Sequence, residues 1–176
     1  IPQHFKLNGY TTAGVGKIFD PGGVDKQSDG VSWSLPYKRA HQLKYHKDWG
    51  PPMVGYYHNH QIKEKIKSIV KNKNIPPSKV GDFLKTIFRP PFSSSPAPDE
   101  AYPDGAIAAE ALRMIDDLSN KRKPFFLAVG FKRPHLPFSA PEKYWNLYGR
   151  DRIPLAAFQQ RGSNIGRLAF KGPGEI

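Results

Sequence analysis

Cysteine is absent from all 176 residues, which removes disulfide bonds, thiolate metal sites and a cysteine nucleophile from consideration. The absence leaves the compartment open, because many exported proteins also lack cysteine. Negative charge is scarce as well: 15 Asp and Glu face 27 Lys and Arg, for a net charge of +12 at pH 7. A balance this basic implies a polyanionic partner, such as nucleic acid, anionic lipid or sulfated glycan, or a surface neutralised by other parts of a larger protein. Long hydrophobic runs are missing too. No stretch approaches the roughly 18 apolar residues of a membrane span. The first residues do not show the charged region and apolar core of a secretory leader. The chain opens on Ile1-Pro2-Gln3 without a Met, and the expectation is a segment from inside a longer protein.

What is abundant is loop-forming residue. Gly and Pro number 16 and 18, and apolar residues are only 38%, below the roughly 45–50% of ordinary globular chains. Within that background several elements stand out. Residues 1–9 suit a short helix of about two turns ending at Gly9. Tyr10 to Phe19 reads as a strand closed by the turn Asp20-Pro21-Gly22-Gly23. Val24 to Gly55 has no clear period and reads as a long excursion. Ile62, Ile66, Ile69 and Val70 recur at helical spacing against a lysine-rich face. After Pro76-Pro77, Ser78 is placed to cap a helix carrying Val80, Phe83, Leu84 and Ile87. Phe92 to Pro103 reads as a proline- and serine-rich connector.

The clearest helix starts at Pro103-Asp104 and runs about 16 residues, with Ile107, Ala111, Met114, Ile115 and Leu118 on one face. Lys121-Arg122-Lys123 follows its last turn, where cations complement the helix dipole. Phe125 to Gly130 is a continuous apolar run, as expected of a parallel strand buried on both faces. A short helix over Pro141 to Tyr148 and an irregular tail from Arg161 complete the reading. Helices alternating with apolar strands indicate an α/β architecture, with a sheet of only two convincing strands that is too small to stand alone.

Four stretches together resemble one family. Ile1-Pro2-Gln3-His4-Phe5, Asn8-Gly9-Tyr10-Thr11-Thr12 and Val15-Gly16-Lys17-Ile18-Phe19 resemble the helix and strand that deliver the Gly-Lys motif of sulfatases. Ser32-Trp33-Ser34 with Pro36-Tyr37 is similar to a segment of the iduronate-2-sulfatase-like branch. Pro103-Asp104-Gly105 and then Pro124 to Phe138, with Pro134-His135-Leu136-Pro137-Phe138 at its end, resemble the next block nearly residue for residue. The likeness covers most of residues 1–37 and 96–155. Residues 38–95 look like a basic, loop-rich and helical insertion.

The resemblance implies that residues 1–176 are an internal part of one alkaline-phosphatase-like sulfatase domain, a mostly parallel sheet flanked by helices and here incomplete. It implies a parent enzyme that hydrolyses sulfate esters, exported to the periplasm, the extracellular space or the lysosome, with a sulfated glycan as substrate. It also implies calcium and a formylglycine nucleophile in that parent, with neither the modified residue nor the calcium ligands in this chain. The segment alone is therefore expected to be inactive, and its partner is the rest of the sulfatase chain.

Two residues carry the chemistry that remains. Lys17 matches the Gly-Lys lysine, which binds sulfate or the formylglycine hydroxyl, and it stands at a strand end, where α/β sheets place ligands. A lysine there is by itself usually a solvated charge. His135 lies between Pro134 and Pro137, which restrict the backbone. It matches the histidine that contacts sulfate or protonates the leaving oxygen, a task suited to a side chain that titrates near neutrality. Lys132 and Arg133 read as rim charges, with steering of an anion as their functional alternative. Asp20 departs from the family, which has histidine three residues after the lysine, and receives no role. Ser94-Ser95-Pro96-Ala97-Pro98 imitates a formylglycine motif but has Pro98 where arginine is required, and it lies on the wrong side of Lys17. Asp116-Asp117 reads as a solvated helix face rather than a calcium site.

A rival reading is a polyanion-binding module without catalysis. Residues 38–89 contain 12 Lys and Arg against 3 Asp and Glu, with Trp49, Tyr56, Tyr57 and His58 interleaved, the combination that holds single-stranded nucleic acid. A solvated insertion face is the blander explanation, and nucleic acid is the less favoured partner. An insertion that draws a sulfated glycan to the active site reconciles the two.

Overall fold

The structure is a computed structural model that describes residues 1–20, 29–87, 90–160, 162–164 and 166. The irregular tail expected from Arg161 falls almost wholly outside these residues, as does the turn at 21–23. The chain divides into two compact units, Ile1–His58 with Ala97–Pro134, and Asn59–Pro96 with His135–Ile176.

The first unit is an α/β layer. Helix α1 (Pro2–Leu7) starts on a proline, whose fixed φ suits the first turn. Its end is satisfied by Asn8, whose side-chain amide donates to the His4 carbonyl at 2.8 Å. Gly9 then turns the chain with φ +85°, as its position in the sequence implies. Strand β1 (Thr11–Gly16) follows, with five of its six residues buried. It pairs in parallel with β3 (Phe125–Gly130), from Thr11 opposite Phe125 to Gly16 opposite Gly130. A parallel pair needs a crossover, and α4 (Pro103–Ser119) provides it, packing across both strands.

The 3.6-residue period of α4 puts Ala106, Ile107, Ala111, Met114 and Leu118 on one stripe, buried against Ala13 and Val15 of β1. Phe5 of α1 stacks on Phe126 with ring centroids 4.6 Å apart. Residues 29–43, part of the excursion expected over 24–55, supply much of the remaining cover. Trp33 and Tyr37 stack at 5.6 Å, and Phe19 lies beside both. Lys38 donates its backbone N–H to Gly14 and accepts from Gly16, adding a short bridge along β1.

The second unit holds α2 (His60–Asn72), α3 (Val80–Ile87), β2 (Phe92–Ser95), β4 (Phe138–Pro141) and α5 (Glu142–Trp145). Asn59 caps α2 by accepting from the Ile62 N–H at 3.2 Å, and Ile66 is its buried residue. Strands β2 and β4 pair in parallel, with Ser93 opposite Ser139.

Four expectations are corrected. The serine-rich connector contains β2, held to β4 by a buried hydroxyl pair, Ser93 to Ser139 at 2.7 Å, rather than by an apolar stripe. The turn before α3 is a 3₁₀ segment, Pro77–Lys79, opened by proline without a side-chain cap from Ser78. Ile115 is 41% exposed, one step round α4 from the stripe that meets β1. Strand β3 is only half-buried, with Val129 37% exposed, because β1 covers one edge and no strand pairs with the other among the described residues.

Candidate functional site

The carboxyl ends of β1 and β3 meet through their backbones. Gly16 has φ +87°, and a Cβ there would come within 2.1 Å of the Gly130 oxygen. A Cβ on Gly130 would likewise fall 2.0 Å from the Lys17 oxygen. Two glycines are therefore needed for the strands to close to this distance. The contact fixes Lys17 directly: its backbone N–H donates to the Gly130 oxygen at 2.6 Å. The Tyr37 hydroxyl donates to the Gly16 carbonyl and accepts from the Ile18 N–H at 3.4 Å, bracketing Lys17 from the other side. Lys17 itself is half-buried.

The chain leaving β3 is held from below by α4. Asp104, in the first turn of α4 where the helix dipole favours an anion, accepts from the Lys132 N–H at 2.7 Å and the Arg133 N–H at 3.0 Å. Both carboxylate oxygens are thus committed to backbone. The Lys132 ammonium lies over the Tyr56 ring, 5.2 Å from its centroid. Burial pushes its pKa below the ordinary lysine value, the neighbouring charges of Arg133 and then Lys17 push the same way, and Asp104 opposes them. Tyr45, half-buried in the same region, has its pKa raised by burial and then by the Asp104 charge. The charges acting on Lys132 are thus those of Arg133, Asp104 and Lys17, two cations and one carboxylate.

His135 is exposed and belongs to the second unit, immediately after Pro134, the last residue of the first. The Arg133–Pro134 and Leu136–Pro137 peptide bonds are cis. Asp20 is exposed, and Asp116 and Asp117 lie on the solvent side of α4, as expected. Ser95, in the discarded formylglycine look-alike, is buried in β2. Sequence reasoning did not foresee that Asp104 holds the backbone at Lys132 and Arg133. Pro103-Asp104 announces a helix start, but nothing local reveals a grip on backbone 28 residues away.

A strand end lined by cations is a general way for α/β sheets to receive anions, and here the class is narrower: the chain is a relative of the sulfatases. Over 158 residues it is 33% identical to an iduronate 2-sulfatase of Mus musculus and 32% identical to that of Homo sapiens, covering 89% of this chain and 24% of those proteins. A sulfatase of Formosa agariphila is 27% identical over 164 residues, 93% of this chain and 27% of that protein. The chain thus spans about a quarter of the length of the curated relatives it matches. No family model matches it. Among the described residues, no helix is long and apolar enough to cross a membrane.

Proposed function

We propose that this chain is the part of an exported sulfuric ester hydrolase that supplies Lys17 and His135 to a sulfate ester, with a sulfated glycan as substrate. The observation that carries the reading is the fixed position of Lys17, locked by the Gly16–Gly130 backbone contact at a strand end where further cations gather. In this reading the Lys17 ammonium holds a sulfonyl oxygen and offsets charge that grows as the sulfur–oxygen bond breaks. His135, as imidazolium, gives its proton to the departing alkoxide, leaving alcohol and a neutral ring.

The nucleophile and the divalent charge would come from formylglycine and calcium. Among the described residues, no three His, Asp or Glu side chains gather to hold a cation, and in this reading the calcium ligands come from the rest of the parent chain. On this account the chain alone hydrolyses no sulfate ester. The test is turnover of a fluorogenic aryl sulfate by the full-length parent. Lys17→Met and His135→Asn should each lower kcat by about 10²-fold or more, the scale of a lost charge-stabilising or proton-transfer group. Unchanged turnover in both variants refutes the proposal.

The rival, stacking of single-stranded nucleic acid on the basic segment, is disfavoured by burial. Tyr57 and His58 are only 2% and 3% exposed, so neither ring is available to a base. The exposed lysines of α2, Lys65, Lys67 and Lys71, remain compatible with attraction of a sulfated glycan.

A further inference from the structure

We propose that Lys132 is a second substrate-binding cation of the oxyanion site and that Asp104 is its positioning residue. This rests on the reading of Lys17 given above and extends it to two residues that the Gly-Lys and Pro-His motifs do not contain. Three observations carry it, all within the first unit.

First, the backbone of residues 132 and 133 is fixed at two successive N–H groups by Asp104, from an element that is itself anchored in the core. A surface lysine on a mobile loop has no such support. Second, Asp104 uses both oxygens on those N–H groups and so orients the lysine without capping its ammonium, which meets the Tyr56 ring face instead. A carboxylate paired directly with the ammonium would compete with an incoming anion; a ring face does not. Third, the groups around Lys132 are mainly cationic: Arg133 beside it and Lys17 across the strand ends, with Asp104 as the opposing charge. The Tyr56 ring lies against the ammonium, and Tyr45, whose pKa is raised by burial and then by Asp104, lies in the same region.

A half-buried lysine among like charges gains more from an oxyanion than an exposed one, because the anion offsets both desolvation and repulsion. The arrangement takes a tetrahedral oxyanion, in this chain a sulfate ester or the sulfate it releases. Bound anion must then return the Lys132 pKa toward the ordinary lysine value, and binding at alkaline pH takes up a proton.

The experiment is a lysine side-chain NMR titration of the chain from pH 7 to 11, with sodium sulfate as probe against sodium chloride at matched ionic strength. Lys132 should titrate below the ordinary lysine value in chloride and move upward in sulfate. Lys132→Met should weaken sulfate binding about tenfold, the worth of one charge-assisted hydrogen bond, while Lys132→Arg retains most of it. Asp104→Asn, with Asp104→Glu as the second variant should the first fail to fold, should weaken sulfate binding and shift the Lys132 midpoint. Thermal melts of each variant separate this from loss of fold. If sulfate moves Lys17 signals and leaves Lys132 untouched, the inference is overturned and the Lys17 reading stands. If it moves neither, both fall. Asp104 variants that fold and bind sulfate with unchanged affinity and an unchanged Lys132 midpoint overturn the positioning role.

Discussion

Replacing Glu110 with glutamine tests how the first unit is held together. Glu110 is only 8% exposed on α4. One of its oxygens pairs with the Lys38 ammonium, and the other takes Nε and Nη2 of Arg113 at 3.1 and 2.7 Å. Burial raises the Glu110 pKa, but the Lys38 and Arg113 hydrogen bonds and charges outweigh it and leave the carboxyl below its ordinary value. Breaking a fully buried pair costs about 3–5 kcal/mol. Here Lys38 and Arg113 are about half-exposed, with side-chain exposures of 47% and 51%, and water can rehydrate them. The cost of Glu110→Gln should therefore be smaller, about 1–2 kcal/mol at pH 7.

The pH dependence is more diagnostic than the size. Because folding depresses this pKa, the carboxylate contributes stability above its unfolded value, near 4.5, and that contribution is lost as pH falls through the folded value. Urea denaturation of both proteins at pH 7, 5, 4 and 3 reads it directly. Wild type and variant should differ at pH 7 and converge in acid. A difference that stays constant across the series would refute the assignment of stability to this carboxylate.

Two further substitutions probe the strand ends and the second sheet. Gly16→Ala places a methyl group against the Gly130 carbonyl and forces alanine to φ +87°, so it should destabilise by about 1–3 kcal/mol and disturb the Lys17 backbone amide in an NMR spectrum. A normal amide shift at Lys17 argues against the strand contact. Ser93→Ala removes the hydroxyl that meets the buried Ser139 hydroxyl and should cost about 1 kcal/mol in denaturant unfolding, the net worth of one hydrogen bond. Adding Ser139→Ala should recover part of that loss, and a strictly additive double variant contradicts the pairing.

Where local pattern and final packing agree, the sequence was informative. Helix α1 with its Gly9 turn, strand β1, helix α4 and the apolar β3 each follow from periodicity or turn chemistry within a few neighbouring residues. The failures share a cause. Strand β2 is written in serines whose partner hydroxyl lies 46 residues away, so no apolar alternation marks it. Ile115 has the apolar character of the α4 stripe but not its angle on the helix. Lys132 looks like any rim charge until Asp104 and Tyr56 are brought beside it. For the site, the Gly-Lys and Pro-His signatures were visible as a family resemblance, whereas the group that aims the loop is legible only in three dimensions.

The half-covered strand β3 has a practical consequence. Phe125 to Gly130 carries no charge and no proline, and among the described residues only β1 pairs with it; an unpaired strand edge offers a row of backbone donors and acceptors to any similar segment it meets. Purified at high concentration, the polypeptide should self-associate by sheet extension. A lysine introduced at Val129, the most open position of that strand, would supply the gatekeeper that this edge lacks.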